Sequence, residues 1–112
     1  MKKLFLLPVI CMFFSCSNPF DTSIEVRYEV TGTAASVFIT YQNDAGGISQ
    51  VSGVPLPWSV TLQGDPEDYV YLSARNLEET GSVTVTIFKD GRVFKRATSE
   101  GSLVTASVGG NL

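Results

Sequence analysis

Between residues 81 and 106 apolar and polar positions alternate almost without interruption, with Val83, Val85 and Ile87 set between Ser82, Thr84 and Thr86. An extended chain sends successive side chains to opposite faces, so this stretch can bury one face and wet the other. Asp90-Gly91 at its centre is a strong hairpin signal, because both residues tolerate the positive φ that a tight turn demands. The same period recurs upstream. Ile24, Val26, Tyr28 and Val30 alternate with Glu25, Arg27, Glu29 and Thr31, which predicts a half-buried strand with a charged outer face. Residues 35–42 repeat the pattern with Val37, Ile39 and Tyr41 on one side, and the run Asn-Asp-Ala-Gly-Gly at 43–47 turns the chain. Residues 48–54 read as a weaker third strand.

Pro55 and Pro57 cannot both sit in a central ladder, since each lacks a donor, so residues 54–58 are expected to cross from one sheet to another. Trp58, Val60 and Leu62 then alternate with Ser59, Thr61 and Gln63 in a fourth strand, ended by the polar turn 64–68. Residues 69–76 form a fifth, with Val70, Leu72 and Ala74 inward, and residues 103–108 close the fold ahead of a glycine-rich tail, 109–112. Seven to eight short strands at this spacing predict an all-β, immunoglobulin-like antiparallel sandwich over residues 24–108. The hairpin register is open. A two-residue turn pairs Val85 with Arg96; a three-residue turn bulged at Gly91 pairs Ile87 with Val93 and Val83 with Ala97, and leaves only Lys95 misplaced. The bulged form is expected, and it would put Phe88, Arg92, Phe94 and Arg96 on one outer face.

The front of the chain is of another kind. Lys2 and Lys3 precede an almost wholly apolar run from Leu4 to Phe14, a secretion signal too short to span a bilayer as a permanent helix. Its ending, Phe13-Phe14-Ser15-Cys16, resembles the lipobox of bacterial lipoproteins, which implies removal of residues 1–15, acylation of Cys16 (palmitate among the chains), and a short tether over 16–23. Cys11 fits less well, because Ile10 stands where a small residue is wanted. Ser17 after the acylated cysteine resembles lipoproteins sent to the outer membrane, which implies a lipid-anchored envelope protein facing the periplasm. Loss of the leader leaves six basic against 11 acidic residues, a net charge of −5 that disfavours nucleic acid. It also leaves no disulfide, so the domain rests on its core.

The chain contains no histidine, which removes Ser-His-Asp and Cys-His catalysis and histidine-bound zinc. No cofactor and no metal are expected. Asp65, Glu67 and Asp68 match no calcium-loop spacing and read as a solvated turn. Two surfaces stand out as binding candidates. Phe88, Arg92, Phe94 and Arg96 combine large aromatics with arginine, the composition of interface hot spots, unless Phe94 turns into the core. Trp58, Tyr41, Tyr69 and Tyr71 could offer stacking platforms to a carbohydrate or lipid, with Trp58 otherwise packing beneath the sheet crossing.

The blocks Tyr28-Glu29-Val30-Thr31-Gly32, Leu56-Pro57-Trp58, Leu72-Ser73-Ala74-Arg75-Asn76 and Gly81 to Val85 through Asp90-Gly91, with Thr98 to Gly101 and Ala106-Ser107, resemble the extracytoplasmic domain of the MmpS family in order and spacing. The resemblance covers residues 26–109. It implies a small immunoglobulin-like sandwich that assists exporters of the resistance-nodulation-division type in moving lipids and siderophores, hence an envelope protein as partner and no enzymatic activity. Two departures accompany it. Members are typically anchored by a transmembrane helix, and they commonly carry cysteines where this chain has Val85 and Val108.

Overall fold

The computed structural model describes residues 23–112; the expected leader, Cys16 and the tether up to residue 22 lie outside them. Eight strands account for most of the described residues: β1 (Ile24–Thr31), β2 (Val37–Gln42), β3 (Ile48–Val54), β4 (Trp58–Gly64), β5 (Tyr69–Asn76), β6 (Ser82–Lys89), β7 (Arg92–Glu100) and β8 (Thr105–Asn111). They form two four-stranded antiparallel sheets, ordered β4-β1-β6-β7 and β3-β2-β5-β8, the sandwich that the alternating pattern predicts. The chain changes sheet at the Pro55–Pro57 segment between β3 and β4, as two missing donors require.

Each central strand buries its apolar set. Val26, Tyr28 and Val30 of β1 and Val83, Val85 and Ile87 of β6 face Val37 and Ile39 of β2 and Val70, Leu72 and Ala74 of β5 in one cluster. Burying a side chain of this size is worth about 1.5–3 kcal/mol, and a one-residue slip would expose the whole set, so the core fixes the register. Val85 and the partly buried Val108 both belong to this interior.

Two expectations need correction. The β6–β7 turn has two residues, Asp90 (φ 50°) and Gly91 (φ 82°), with Lys89 opposite Arg92 and Phe88 opposite Val93. Beyond it the ladder shifts, so that Ile87 faces Lys95 and Val85 faces Ala97: the extra residue is Phe94, not Gly91. A bulge there resolves the conflict the sequence poses. An unbulged tight turn would set Arg96 against Val85 in the core, at a cost of several kcal/mol for an unpaired buried cation; the bulge turns Arg96 outward beside Thr86 and brings Ala97 in. The second correction concerns the last strand. It runs through Gly109, Gly110 and Asn111, which pair with Tyr71, Val70 and Tyr69, so the expected tail belongs to the sheet.

Candidate interaction surface

Strands β1, β6 and β7 bring an arginine–aromatic set onto the outer face of the first sheet. Arg27 and Phe88 are cross-strand partners, and the Arg27 guanidinium carbon lies 4.2 Å from the Phe88 ring centroid, a cation–π contact. The same guanidinium reaches Glu29, two residues along its own strand, at 3.6 Å. Arg96 donates through Nε to Thr86 Oγ1 at 3.3 Å, across the β6–β7 ladder, and Thr86 is almost fully covered. Beside them Val93, opposite Phe88, is 52% exposed. Two guanidiniums held in place by neighbours have already lost much of the rotamer freedom that binding would otherwise remove. That is the arrangement expected of a protein-docking surface.

The four residues singled out as one cluster are therefore divided. Phe88 and Arg96 share the outer face; Phe94 does not, because the bulge directs it against the core and over β8. A Cβ on Gly110 would lie 3.3 Å from Lys95 Cε and 3.6 Å from the Phe94 ring, which places both side chains directly over this glycine. Arg92 sits at the turn itself, opposite Lys89. Arg27 is the member that sequence reasoning missed. Its strand parity put it on the charged face, but only the β1–β6 register sets it against Phe88.

The second candidate set is divided as well. Tyr41 faces inward, its ring 5.6 Å from Tyr28 and 5.4 Å from Trp58 between centroids, so these three form a tilted ladder between the sheets. Trp58 is accordingly packed under the crossing. Tyr69 and Tyr71 occupy the opposite, outer parity of β5, where their rings border the side-chain-free Gly109. No single strip of Tyr41, Tyr69 and Tyr71 exists. A cavity of about 320 Å³ opens between the sheets at the end where β1 begins, lined by Val26, Tyr28, Leu62, Val70 and Tyr69 with Asn43 and Asp68 at its polar margin. Tyr28 borders it, donates its hydroxyl to the Gln42 carbonyl at 2.7 Å, and is pushed by burial from the ordinary 10 up to about 12. Asp68 is engaged in the adjoining turn, where its carboxylate accepts the Asp65 N–H at 2.9 Å.

The sandwich and its match to known proteins coincide. A family described as Mycobacterium membrane protein matches residues 10–107, which takes in β1 to β7 and the first three residues of β8. The chain belongs to the Mycobacterium membrane protein family. Similar curated proteins include the siderophore export accessory protein MmpS5 of Mycobacterium tuberculosis and the probable transport accessory protein MmpS5 of Mycobacterium bovis. Each is 32% identical over 93 residues, covering 80% of this chain and 62% of the relative. The chain thus spans about three-fifths of the length of these relatives. Membership of the Mycobacterium membrane protein family bears out the expected MmpS-type domain and associates the chain with a membrane.

Proposed function

We propose that this protein is a non-catalytic accessory subunit of an envelope exporter of the resistance-nodulation-division type, docking on it through the outer face of its first sheet. One observation carries the reading: 32% identity, over 80% of the chain, to proteins named as siderophore export accessories. Of the residues singled out in the sequence, Phe88 and Arg96 supply the contact, and Arg27 completes it by fixing the Phe88 ring. Anchoring is by acylated Cys16 after removal of residues 1–15, on the periplasmic side of an outer membrane. Where the relatives' partner sits in an inner membrane, a domain on this tether would meet the exporter from the opposite side.

Deleting the gene and measuring export of siderophores and lipids tests the role. Secretion should fall, return with the wild-type gene, and fail to return with a Phe88→Ser, Arg96→Glu variant that accumulates normally. Unchanged secretion on deletion would overturn the proposal. Mass spectrometry of the N-terminal peptide tests the anchor separately, with a diacylglyceryl-modified Cys16 expected and a free thiol contradicting it.

A further inference from the structure

Of the six basic side chains among residues 23–112, five lie on the first sheet or its hairpin: Arg27, Lys89, Arg92, Lys95 and Arg96. Three of them gather at the hairpin tip, two of these over one ring. The Lys89 and Lys95 ammonium groups lie 5.7 and 5.4 Å from the Phe94 centroid, and Arg92 stands opposite Lys89 across the two-residue turn. Between them is a shallow hollow lined by Lys89, Asp90, Arg92, Val93 and Phe94. Like charges placed opposite each other destabilise a hairpin. None of these three cations forms an ion pair among the described residues, where Arg27–Glu29 is the one that occurs. Asp90 lies within the turn, but its Oδ1 accepts the Glu25 N–H at 3.0 Å and serves the backbone. Asp90 offsets one of the three charges, so the tip stays net positive on a domain whose overall charge is negative, and the remainder of its counter-charge must come from outside the protein.

Its position says which counter-charge. Asp90 N–H donates to the Glu25 carbonyl at 2.8 Å, which fastens the hairpin tip beside the start of β1, where the chain arrives from the apolar stretch Leu4–Phe14. Eight peptide steps separate Cys16 from Ile24, a reach of at most about 29 Å when fully extended. The tip is thus held close to a bilayer whether Cys16 carries lipid or the apolar stretch is retained. We infer that the β6–β7 tip docks on anionic phospholipid headgroups, with Lys89, Arg92 and Lys95 against the phosphates and the exposed Val93 at the headgroup boundary. Asp65, Glu67 and Asp68 occupy the same end on the side of β4, the opposite edge of the first sheet from β7. Repulsion there tilts the domain onto its β7 side. The inference rests on the membrane tether proposed above and not on the exporter.

The test uses the full-length protein with a benzophenone amino acid at position 93, in vesicles of phosphatidylcholine alone or of phosphatidylcholine with phosphatidylglycerol. Irradiation should give phospholipid adducts in the anionic vesicles, and few in the neutral ones or at high salt, where screening reaches a few ångströms. A basic residue near an anionic surface contributes about fivefold, so Lys89→Glu with Arg92→Glu should lower adduct yield by at least about 25-fold. Lys95 is left in place because its stem packs over Gly110. A benzophenone at position 79, at the far end of the sandwich, should give none. Equal adduct yields from positions 79 and 93, or indifference to lipid charge, would overturn the inference. Export measured in the same charge-reversed cells separates this failure from failure of the exporter reading.

Discussion

At the end of the sandwich where β5 passes into β6, the fully buried Asn76 donates its side-chain amide to the carbonyls of Thr80 (2.9 Å) and Gly101 (3.0 Å), and its Oδ1 accepts the Glu78 N–H at 2.8 Å. One side chain thus ties together the β5–β6 and β7–β8 connections, while Thr33 N–H and Ala34 N–H both reach the Ser82 carbonyl at 3.1 Å. At the opposite end, where β1 begins, a cavity of about 320 Å³ stands between the sheets, and charged turns and the basic hairpin tip face solvent. Buried amides satisfied on every side rigidify the structure around them. The distal end therefore keeps the two layers in register, and the proximal end is left free to carry recognition.

The glycines give the sharpest way to break this contrast. Gly81 has φ +110°, and a Cβ there would stand 2.8 Å from Ala34 Cα. Gly81→Ala should cost roughly 4 kcal/mol, in the range set by backbone strain plus a backbone clash. Gly46, in the proximal β2–β3 turn, also has positive φ (+85°) but nothing within 4 Å, so Gly46→Ala should cost only about 1 kcal/mol. Urea midpoints of the two variants check this, and equal losses would erase the distinction. Next in size, Asn76→Leu should lose about 2 kcal/mol, because three hydrogen bonds made by a fully buried side chain disappear together.

Tyr28 sharpens the proximal side of the comparison. Its pKa is raised in the folded state, so the stabilisation from its neutral phenol is complete below pH 10 and is lost as pH rises from 10 through about 12. Tyr28→Phe should cost about 1 kcal/mol at neutral pH through the lost bond to Gln42, and its stability should fall less steeply than that of the wild type above pH 10. Thermal melts across that interval measure the difference. The smallest stability effect is expected on the outer face: Arg27→Ala removes an exposed cation–π contact and a surface ion pair, worth under about 1 kcal/mol together. A loss of export well beyond that loss of stability would mark Arg27 as part of the docking surface.

Much of the fold could be read from strand parity, because a half-buried sheet writes its burial directly into alternate positions. In β1 and β6, Val26, Tyr28, Val30, Val83, Val85 and Ile87 all face inward as their spacing requires. The site was less legible, since it depends on register between strands. Moving the bulge from Gly91 to Phe94 sends Phe94 to the core and leaves Phe88 and Arg96 outside. The end of the last strand is not legible in the sequence, because glycines disfavour sheets on their own. The role of Gly109 appears only in three dimensions, where a Cβ would stand 2.9 Å from the Tyr69 hydroxyl and 3.1 Å from the Val70 carbonyl. Parity within each strand separates the inward Tyr41 from the outward Tyr69 and Tyr71, which rules out one strip of all three.

A photo-crosslinking residue at position 88 in living cells, compared with one at position 71 on the outer face of the other sheet, tests the accessory role most directly. The account predicts adducts with a multi-spanning exporter from position 88, abolished by Arg96→Glu, and none from position 71. Exporter adducts from position 71 alone, or from neither position, would contradict it.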